Sequence, residues 1–364
     1  MLKIAAGALA ALVALLLGLA TLLLIGYDTG PVALLVGLVA AVLPVPFYVT
    51  LVLWLDRYES EPAWLLAVAF FWGALVAVFF AIVVNSLGAA FVGAAYGEEA
   101  ANFFGLVVSA PLVEEGTKAF ALLALFFWRR DEFDGVLDGI VYAAMVGLGF
   151  AMTENVQYYG AAALEGNTLG VFVVRGLFSP FAHPLFTAMT GIGLGLVARS
   201  RRVGARALLP PLGFALAVLL HAAWNAAAYF TGRLENGLIV LGTYFLLMVP
   251  VFCGLLAVVA FALRHEGSIL REHLRADCEG GLLSAEEYAR VCSLRGRMGA
   301  TFGALARRGV AASRARARLN RAASELAFHR HRVARGVTRG AEADAAREAE
   351  YVQRIRQLRA QLER

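Results

Sequence analysis

The chain has 364 residues, of which 60% are hydrophobic and only 16% are charged. Soluble globular domains carry about 25% charged residues, so this composition excludes an ordinary soluble domain and is typical of a membrane protein. The charge is uneven, since residues 1–264 hold 12 basic and 15 acidic side chains whereas residues 265–364 hold 20 and 12. An apolar body is therefore followed by a basic, polar tail.

Eight apolar runs are long enough to cross a bilayer, which takes about 20 helical residues. They are residues 4–25, 31–55, 64–87, 102–128, 136–159, 178–198, 207–230 and 238–263. The first is longer than the apolar part of a signal peptide, so we expect it to be retained. In the sixth, Arg175, Pro180 and Pro184 predict a break where the helix begins. The predicted fold class is all-α, a polytopic membrane helix bundle with a transmembrane domain at 1–264 and a helical cytoplasmic tail at 265–364.

Basic residues predict how the bundle is oriented. If the N-terminus lies inside, each inner segment contains lysine or arginine, whereas the outer segments contain only Arg175 and Arg233. In membrane proteins the cytoplasmic loops typically carry more lysine and arginine than the external loops. The basic residues of the inner segments that precede the tail are Lys3, Arg57, Arg129, Arg130, Arg199, Arg201, Arg202 and Arg206. We therefore expect a multi-pass cell-membrane protein with both termini in the cytoplasm.

Four consecutive predicted spans carry an ionisable side chain at one depth. Glu114, His183 and His221 each lie 14 or 15 residues from the cytoplasmic end of their run, and Glu154 lies 14 residues from Ile140, near the cytoplasmic end of its run. At 1.5 Å per residue, all four lie roughly 21 Å from the inner surface. Ionisable groups in a bilayer are costly and normally face a bundle interior or a water-filled cavity. Four of them at one depth predict a single shared site.

The spacing within these spans indicates the chemistry of the site. Glu114 and Lys118 are four residues apart on one helix face, as are His221 and Asn225. Glu115 points about 100° away from Glu114, so the two glutamates have different roles. Histidines and glutamates are ligands for Zn²⁺ with a position left for water, and a neighbouring carboxylate can act as base. A glutamate paired with a histidine could also activate water without a metal, and the residues alone do not separate these mechanisms.

Four ordered motifs carry a resemblance to a known family. They are EEGTK at 114–118, the FxxxE pair Phe150 and Glu154 in GFAMTEN, HPLFTAMTGIGLG from His183, and HAAWN from His221. Together with LDRYESEP at 55–62 they resemble the PrsW family of intramembrane proteases, which is related to the type II CAAX prenyl endopeptidases. The resemblance covers roughly residues 45–262. Within the third motif, GIGLG predicts close helix packing rather than a nucleotide loop.

The resemblance implies a helical membrane protease that cleaves membrane-anchored proteins, such as anti-sigma factors, near the outer side. We accordingly predict an intramembrane endopeptidase, a hydrolase that uses Zn²⁺ or a metal-independent glutamate mechanism. The predicted catalytic residues are Glu114, Glu115, Lys118 and Asn225, and the predicted metal ligands are Glu115, Glu154, His183 and His221. The expected partners are a membrane-anchored protein substrate and the lipid bilayer. No nucleic acid is expected, since the tail lacks interleaved aromatic residues.

Two other classes of function remain open at this point. A proton-coupled transporter or channel also uses buried glutamates and histidines as a relay, and a non-catalytic scaffold could present the basic tail. In that tail, SAEE at 284–287 predicts a capping box, and the 4-3-4 spacing of Tyr351, Ile355, Leu358 and Leu362 predicts an amphipathic helix. The tail would contact anionic lipids of the inner leaflet or a partner helix, unless it is a solvated helical hairpin.

Overall fold

The computed structural model describes residues 2–200, 202–338 and 340–363. Arg201, and the side chains of Lys3 and Arg199, which entered the prediction of orientation, lie outside the described residues and side chains. The chain divides into two compact units, one formed by residues up to Leu55 with Glu61–Ala257 and the other by Asp56–Ser60 with Val258–Arg364. The predicted domain boundary at 264 falls inside a helix and stays a prediction.

All the regular secondary structure in the described residues of the first unit is helical. Its helices are α1 Leu2–Thr29, α2 Pro31–Val42, α3 Val45–Leu55, α4 Ala63–Phe71, α5 Val78–Tyr96, α6 Glu98–Phe103, α7 Ala110–Trp128, α8 Val136–Leu164, α9 Thr168–Phe172, α10 Ala182–Arg199, α11 Val203–Arg233, α12 Leu238–Thr243 and α13 Val249–His273, the last of which continues into the second unit. Wider π-helical turns occupy Trp72–Ala77, Phe104–Ser109, Val173–Phe178 and Tyr244–Met248. Such turns are rare and often mark functional sites.

Seven helical runs in the described part of the chain are long and apolar enough to cross a membrane. They are Ile4–Thr29, Pro31–Leu55, Ala63–Tyr96, Val136–Leu164, Thr168–Ala198, Val203–Arg233 and Leu238–His273. The predicted polytopic helix bundle is thereby confirmed. The run 98–128 has a comparable length, but Glu114, Glu115 and Lys118 interrupt its apolar sequence. Its assignment as the fourth span, and the orientation of the bundle, stay predictions.

Helix α8 is the core of the first unit, and glycines let its neighbours approach closely. A Cβ atom added to Gly147 would lie 2.7 Å from the backbone nitrogen of Pro184 in α10. Gly139 and Gly191 face each other in the same way, and a Cβ on either would collide with the other's backbone. The predicted helix-packing role of GIGLG is therefore confirmed, since Gly191 is its first residue. This packing holds His183 directly against α8.

The predicted break at the start of the sixth span is also confirmed. Helical structure ends at Phe178 and resumes at Ala182, so His183 lies in the first turn of α10. Pro184 is tolerated there because the first turn of a helix has no partners for its N–H groups. The preceding π-helical turn is anchored by the hydroxyl of Tyr48, which donates a hydrogen bond to the carbonyl oxygen of Gly176.

The second unit consists of short and long helices around its own apolar core. They are α14 Arg275–Glu279, α15 Ala285–Val291, α16 Leu294–Ala334 and α17 Ala341–Glu363. The predicted capping box is confirmed, since Ser284 and Glu287 exchange both hydrogen bonds at the start of α15. The chain bends at Gly309, where φ is 78°, and the Ser313 hydroxyl donates to the Thr301 carbonyl at 3.1 Å. Helix α16 is therefore a hairpin of two helices.

Residues 56–60, which connect α3 to α4, belong to this second unit. Tyr58 is buried in its core beside Ile355 and Leu358, two residues of the predicted apolar stripe on α17, which is thereby confirmed. The buried guanidinium of Arg297 lies 4.6 Å from the Tyr58 ring centroid and donates to the Arg57 carbonyl at 2.9 Å. The loop is thus held by backbone and aromatic contacts that its sequence does not reveal.

Candidate active site

Helix α7 contributes three buried charged side chains to the centre of the first unit. Glu114, Glu115 and Lys118 are only 6%, 1% and 0% exposed. The Lys118 ammonium lies 2.9 Å from Glu115 Oε1 and 3.5 Å from Glu114 Oε2, and it sits 3.8 Å from the Phe150 ring centroid. Burying one of these charges alone would be strongly unfavourable. The three therefore stabilise one another, and the site carries a net negative charge before the histidines are considered.

His183 of α10 joins this cluster through both ring nitrogens. Its Nδ1 lies 3.0 Å from the Lys118 ammonium, and its Nε2 lies 2.9 Å from Glu154 Oε2 on α8. An ammonium group can only donate and a carboxylate can only accept. The partners therefore assign the proton to Nε2 and leave Nδ1 unprotonated, with its lone pair accepting from Lys118 and lying 3.9 Å from Glu114 Oε2.

His221 of α11 is arranged in the same way from the other side. Its Nδ1 lies 3.1 Å from Glu115 Oε1, so this nitrogen carries the proton. Its Nε2 lies 3.9 Å from Glu114 Oε2. The ring stacks on Phe186, with centroids 4.9 Å apart. Both histidines thus direct one unprotonated nitrogen towards the same oxygen of Glu114.

This arrangement fits a divalent metal ion with three protein ligands. Glu114, His183 and His221 each offer one ligand atom, and the three atoms lie within 4.8 Å of one another. Ligand atoms on one tetrahedral zinc ion lie about 3.3 Å apart. Glu115 and Glu154 accept from the protonated nitrogens of the two imidazoles, and their role as metal ligands stays a prediction. Carboxylates in that position commonly fix the orientation and tautomer of metal-binding histidines.

Two residues that the sequence analysis did not assign to the site contact it. Thr187, one turn after His183, is fully buried and its hydroxyl donates to Glu115 Oε2 at 2.9 Å. Arg175, in the π-helical turn before α10, pairs with Glu154. Thr187 is four residues after His183 and so shares its helix face, which is the signal that would have found it.

The predicted catalytic residue Asn225 has a different surrounding. Its side-chain amide donates to the carbonyl oxygen of Leu106 at 3.0 Å. Leu106 lies in the π-helical turn that precedes α7. The contact therefore ties α11 to the helix that carries Glu114 and Glu115, and a catalytic role for Asn225 stays a prediction.

Comparisons with known proteins agree with this picture. The family model described as PrsW family intramembrane metalloprotease matches residues 61–255. The chain is 35% identical over 140 residues to a Protease PrsW of Geobacillus kaustophilus, covering 38% of this chain and 57% of that relative. It is 30% identical over 170 residues to the Protease PrsW of Oceanobacillus iheyensis, covering 46% and 71%. The Protease PrsW of Bacillus subtilis is 31% identical over 170 residues, covering 47% and 72%. No solved structure matches.

Fold and site together define a polytopic helical membrane protein whose bundle encloses a cluster of glutamates, histidines and one lysine. The matched region includes all four motif-bearing helices, α7, α8, α10 and α11. The chain belongs to the PrsW family of intramembrane metalloproteases. The resemblance to the PrsW family, and with it the protease class, is confirmed at the level of the family. The chain spans 57% of the length of the Geobacillus kaustophilus relative.

Proposed function

We propose that the chain is an intramembrane endopeptidase whose active site is the cluster built by α7, α8, α10 and α11. The observation that carries this proposal is the convergence of one ring nitrogen of each histidine on Glu114 Oε2, each at 3.9 Å. A proton relay needs no such convergence, because it needs only a chain of donors and acceptors. Family membership supports the same conclusion.

Glu114, His183 and His221 would hold a divalent ion, for which Zn²⁺ is the natural candidate because the ligands are nitrogen and carboxylate oxygen. When bound, such an ion supplies a Lewis acid that polarises the scissile carbonyl and acidifies water. Glu115 would accept from His221, and so keep the lone pair of that ring on Nε2. This differs from the predicted ligand set, in which Glu115 and Glu154 bind the metal directly.

Lys118 would act on the charge of the site. Its ammonium lies between Glu114 and Glu115 and balances part of their negative charge. A fixed ammonium in a water-poor site can also donate to the oxyanion that develops when a peptide carbonyl is attacked. Thr187 would hold the second oxygen of Glu115, so that this carboxylate cannot rotate away from His221.

The proposed substrates are membrane-anchored proteins, of the anti-sigma-factor type that the family resemblance implies. We further propose that both termini are cytoplasmic, as the basic loop residues indicate. The second unit would then face the anionic inner leaflet, whose negative potential attracts arginine-rich segments.

The proposal is tested with the wild type and Glu114→Gln, both purified in detergent. Bound zinc is measured by elemental analysis, and cleavage is measured on a library of single-span reporter proteins. We expect near-stoichiometric zinc and chelator-sensitive cleavage in the wild type, and loss of both in the variant. Glu99→Gln is the matched control, because the Glu99 side chain is 70% exposed and pairs with the similarly exposed Arg233.

Two other outcomes would distinguish the protease proposal from its alternatives. Cleavage that is insensitive to chelators, from protein without metal, would contradict the metal ligands and support the glutamate–histidine mechanism. Neither zinc nor cleavage from well-folded wild type would contradict the protease proposal and favour a transporter or a scaffold.

A further inference from the structure

We infer that Arg175 is a positioning residue of this site, which holds Glu154 in place as the hydrogen-bond acceptor of His183. The inference rests on the proposed function, in which His183 is a ligand and Glu154 its orienting partner. Arg175 lies eight residues before His183, on the other side of the helix break.

The guanidinium of Arg175 contacts three residues of α8. Its Nη2 donates to Glu154 Oε2, and its Nε donates to Asn155 Oδ1 at 2.6 Å. Its central carbon lies 3.7 Å from the ring centroid of Tyr158. The planar guanidinium thus donates two hydrogen bonds from its edge and packs its face on an aromatic ring. The ammonium of a lysine is a point charge without that planar fork and cannot reproduce this arrangement.

The π-helical turn that contains Arg175 places its side chain beside α8. The residue lies in the π-helical turn Val173–Phe178, within a run apolar enough to cross the membrane. Arginines at such positions are costly and are usually paired. Tyr48 anchors the next residue through the Gly176 carbonyl. The turn is thus held from α3 while its arginine reaches α8.

Glu154 Oε2 is the atom through which Arg175 acts on the site. The same oxygen receives the Arg175 guanidinium and faces His183 Nε2 at 2.9 Å. With Arg175 present, this carboxylate is neutralised and held where it accepts from His183. Without Arg175, a half-buried carboxylate would have one partner fewer and could turn towards a metal ion as an additional ligand. The hydrogen bond that holds the His183 ring at Nε2 would then be lost, and only Lys118 at Nδ1 would orient the ring.

The experiment compares Arg175→Gln, Arg175→Lys, Glu154→Gln and the double variant Arg175→Gln/Glu154→Gln. The probe is zinc alone, titrated into metal-free protein against a competing chelator. Loss of a carboxylate behind a metal-binding histidine weakens metal affinity about 10- to 100-fold, so we expect Arg175→Gln and Glu154→Gln to fall in that range. Arg175→Lys should restore only part of the affinity, and the double variant should be no weaker than Glu154→Gln. Arg233→Gln, an exposed ion-pair arginine, is the control and should bind zinc as the wild type does.

A second measurement does not depend on metal or on cleavage. Nitrogen-15 spectra of metal-free protein labelled at histidine, with His183→Gln used for assignment, report which ring nitrogen of His183 carries the proton. We expect a single Nε2–H form in the wild type. In Arg175→Gln, Lys118 still donates to Nδ1, so the tautomer is kept, but the Nε2–H signal should shift because its hydrogen bond to Glu154 is disturbed. If that variant keeps the wild-type Nε2–H signal, or if the zinc losses of the two single variants simply multiply in the double variant, Arg175 does not act through Glu154 and the inference is wrong. Wild type that binds no zinc and cleaves nothing contradicts the proposed function instead, and the Nε2–H signal still decides for Arg175.

Discussion

Glu115 and His221 are joined by a contact of 3.1 Å between Oε1 and Nδ1, which turns the other nitrogen of His221 towards Glu114. A carboxylate and an imidazole from two helices 106 residues apart in sequence are thus fixed as a pair. The second oxygen of Glu115 accepts from Thr187, so both oxygens of this carboxylate have partners. We therefore propose different roles for the two adjacent glutamates, Glu115 as an orienting group and Glu114 as a ligand.

The first prediction follows from that separation. Glu114→Gln should abolish zinc binding, because it removes the charge of a ligand, whereas Glu115→Gln should weaken it about 10- to 100-fold. The measurement is zinc titration of metal-free protein with chelator competition. Equal losses in the two variants would contradict the assignment of different roles, and Glu99→Gln controls for the loss of an exposed charge.

The second prediction concerns Lys118, whose ammonium contacts Glu115, Glu114 and His183 Nδ1 at 2.9, 3.5 and 3.0 Å. Lys118→Met leaves two buried carboxylates without their counter-charge, which should lower the stability of metal-free protein by about 3–5 kcal/mol. Zinc should restore more stability to this variant than it adds to the wild type, since the ion and the ammonium meet the same atoms.

Thermal unfolding in detergent, with and without zinc, measures both effects. Arg233→Gln is the control, because breaking an exposed ion pair costs about 1 kcal/mol or less. Metal-free Lys118→Met as stable as the wild type would contradict the prediction.

The third prediction tests the packing that brings His183 to α8. In Gly147→Ala the added methyl group would lie 2.7 Å from Pro184 N and 2.9 Å from the His183 carbonyl carbon, so α10 must move away. We expect a loss of about 1–3 kcal/mol in stability and a larger loss of cleavage. Gly254→Ala in α13 is the matched control, since nothing lies within 4 Å of its added Cβ and alanine favours a helix. Unchanged cleavage in Gly147→Ala would show that the site tolerates displacement of α10.

Much of this site follows from sequence, because helical rise and spacing are regular. Similar distances from the cytoplasmic ends of four apolar runs predict that Glu114, Glu154, His183 and His221 meet, and in the structure they do. Proline spacing predicts the break before α10. Both inferences use only 1.5 Å per residue and the chemistry of proline.

Other features of the site could not be predicted from the sequence, because they depend on the direction of side chains and on contacts between residues that are distant in the chain. Which of two adjacent glutamates faces the imidazoles depends on how α7 is rotated within the bundle. Arg175 carries a charge that favours a loop, yet it lies inside the run Thr168–Ala198 because Glu154 and Tyr158 receive it there. The position of Tyr58 in the second unit depends on Arg297, more than two hundred residues later.

The fourth prediction concerns Cys292, a core residue of the second unit that is 5% exposed. Burial raises the pKa of the Cys292 thiol to about 11. Since the thiolate is the reactive form, alkylation at pH 8 should be at least a hundredfold slower than for a thiol with an ordinary pKa near 8.5. Cys278, which is half-buried in the same unit, is the internal comparison in mass-spectrometric labelling.

The sign of the pH effect on stability follows from the same shift. The folded state keeps the Cys292 proton to a higher pH than the unfolded state does, so the contribution is fully present below about pH 9. It should be lost as pH rises towards about 11. Cys292→Ala should flatten that part of the stability profile, and rapid labelling of Cys292 in native protein at pH 8 would contradict its burial.

The last prediction decides whether the run 98–128 crosses the membrane, on which the depth of the whole site depends. Positions 98 and 131 flank this run and carry the exposed residues Glu98 and Asp131. In a variant without the native cysteines, a membrane-impermeant maleimide applied to intact cells should label Glu98→Cys. It should label Asp131→Cys only after lysis.

Labelling from opposite sides would mean that Glu114, Glu115 and Lys118 lie within the bilayer, where three charges are tolerated only as a compensated group. Labelling of both positions from the same side would make 98–128 a re-entrant or interfacial segment. The site would then lie near a membrane surface, and substrates would reach it from water rather than from the lipid phase. The predicted direction of the bundle is tested at the same time, because labelling of Asp131→Cys alone from outside would invert it.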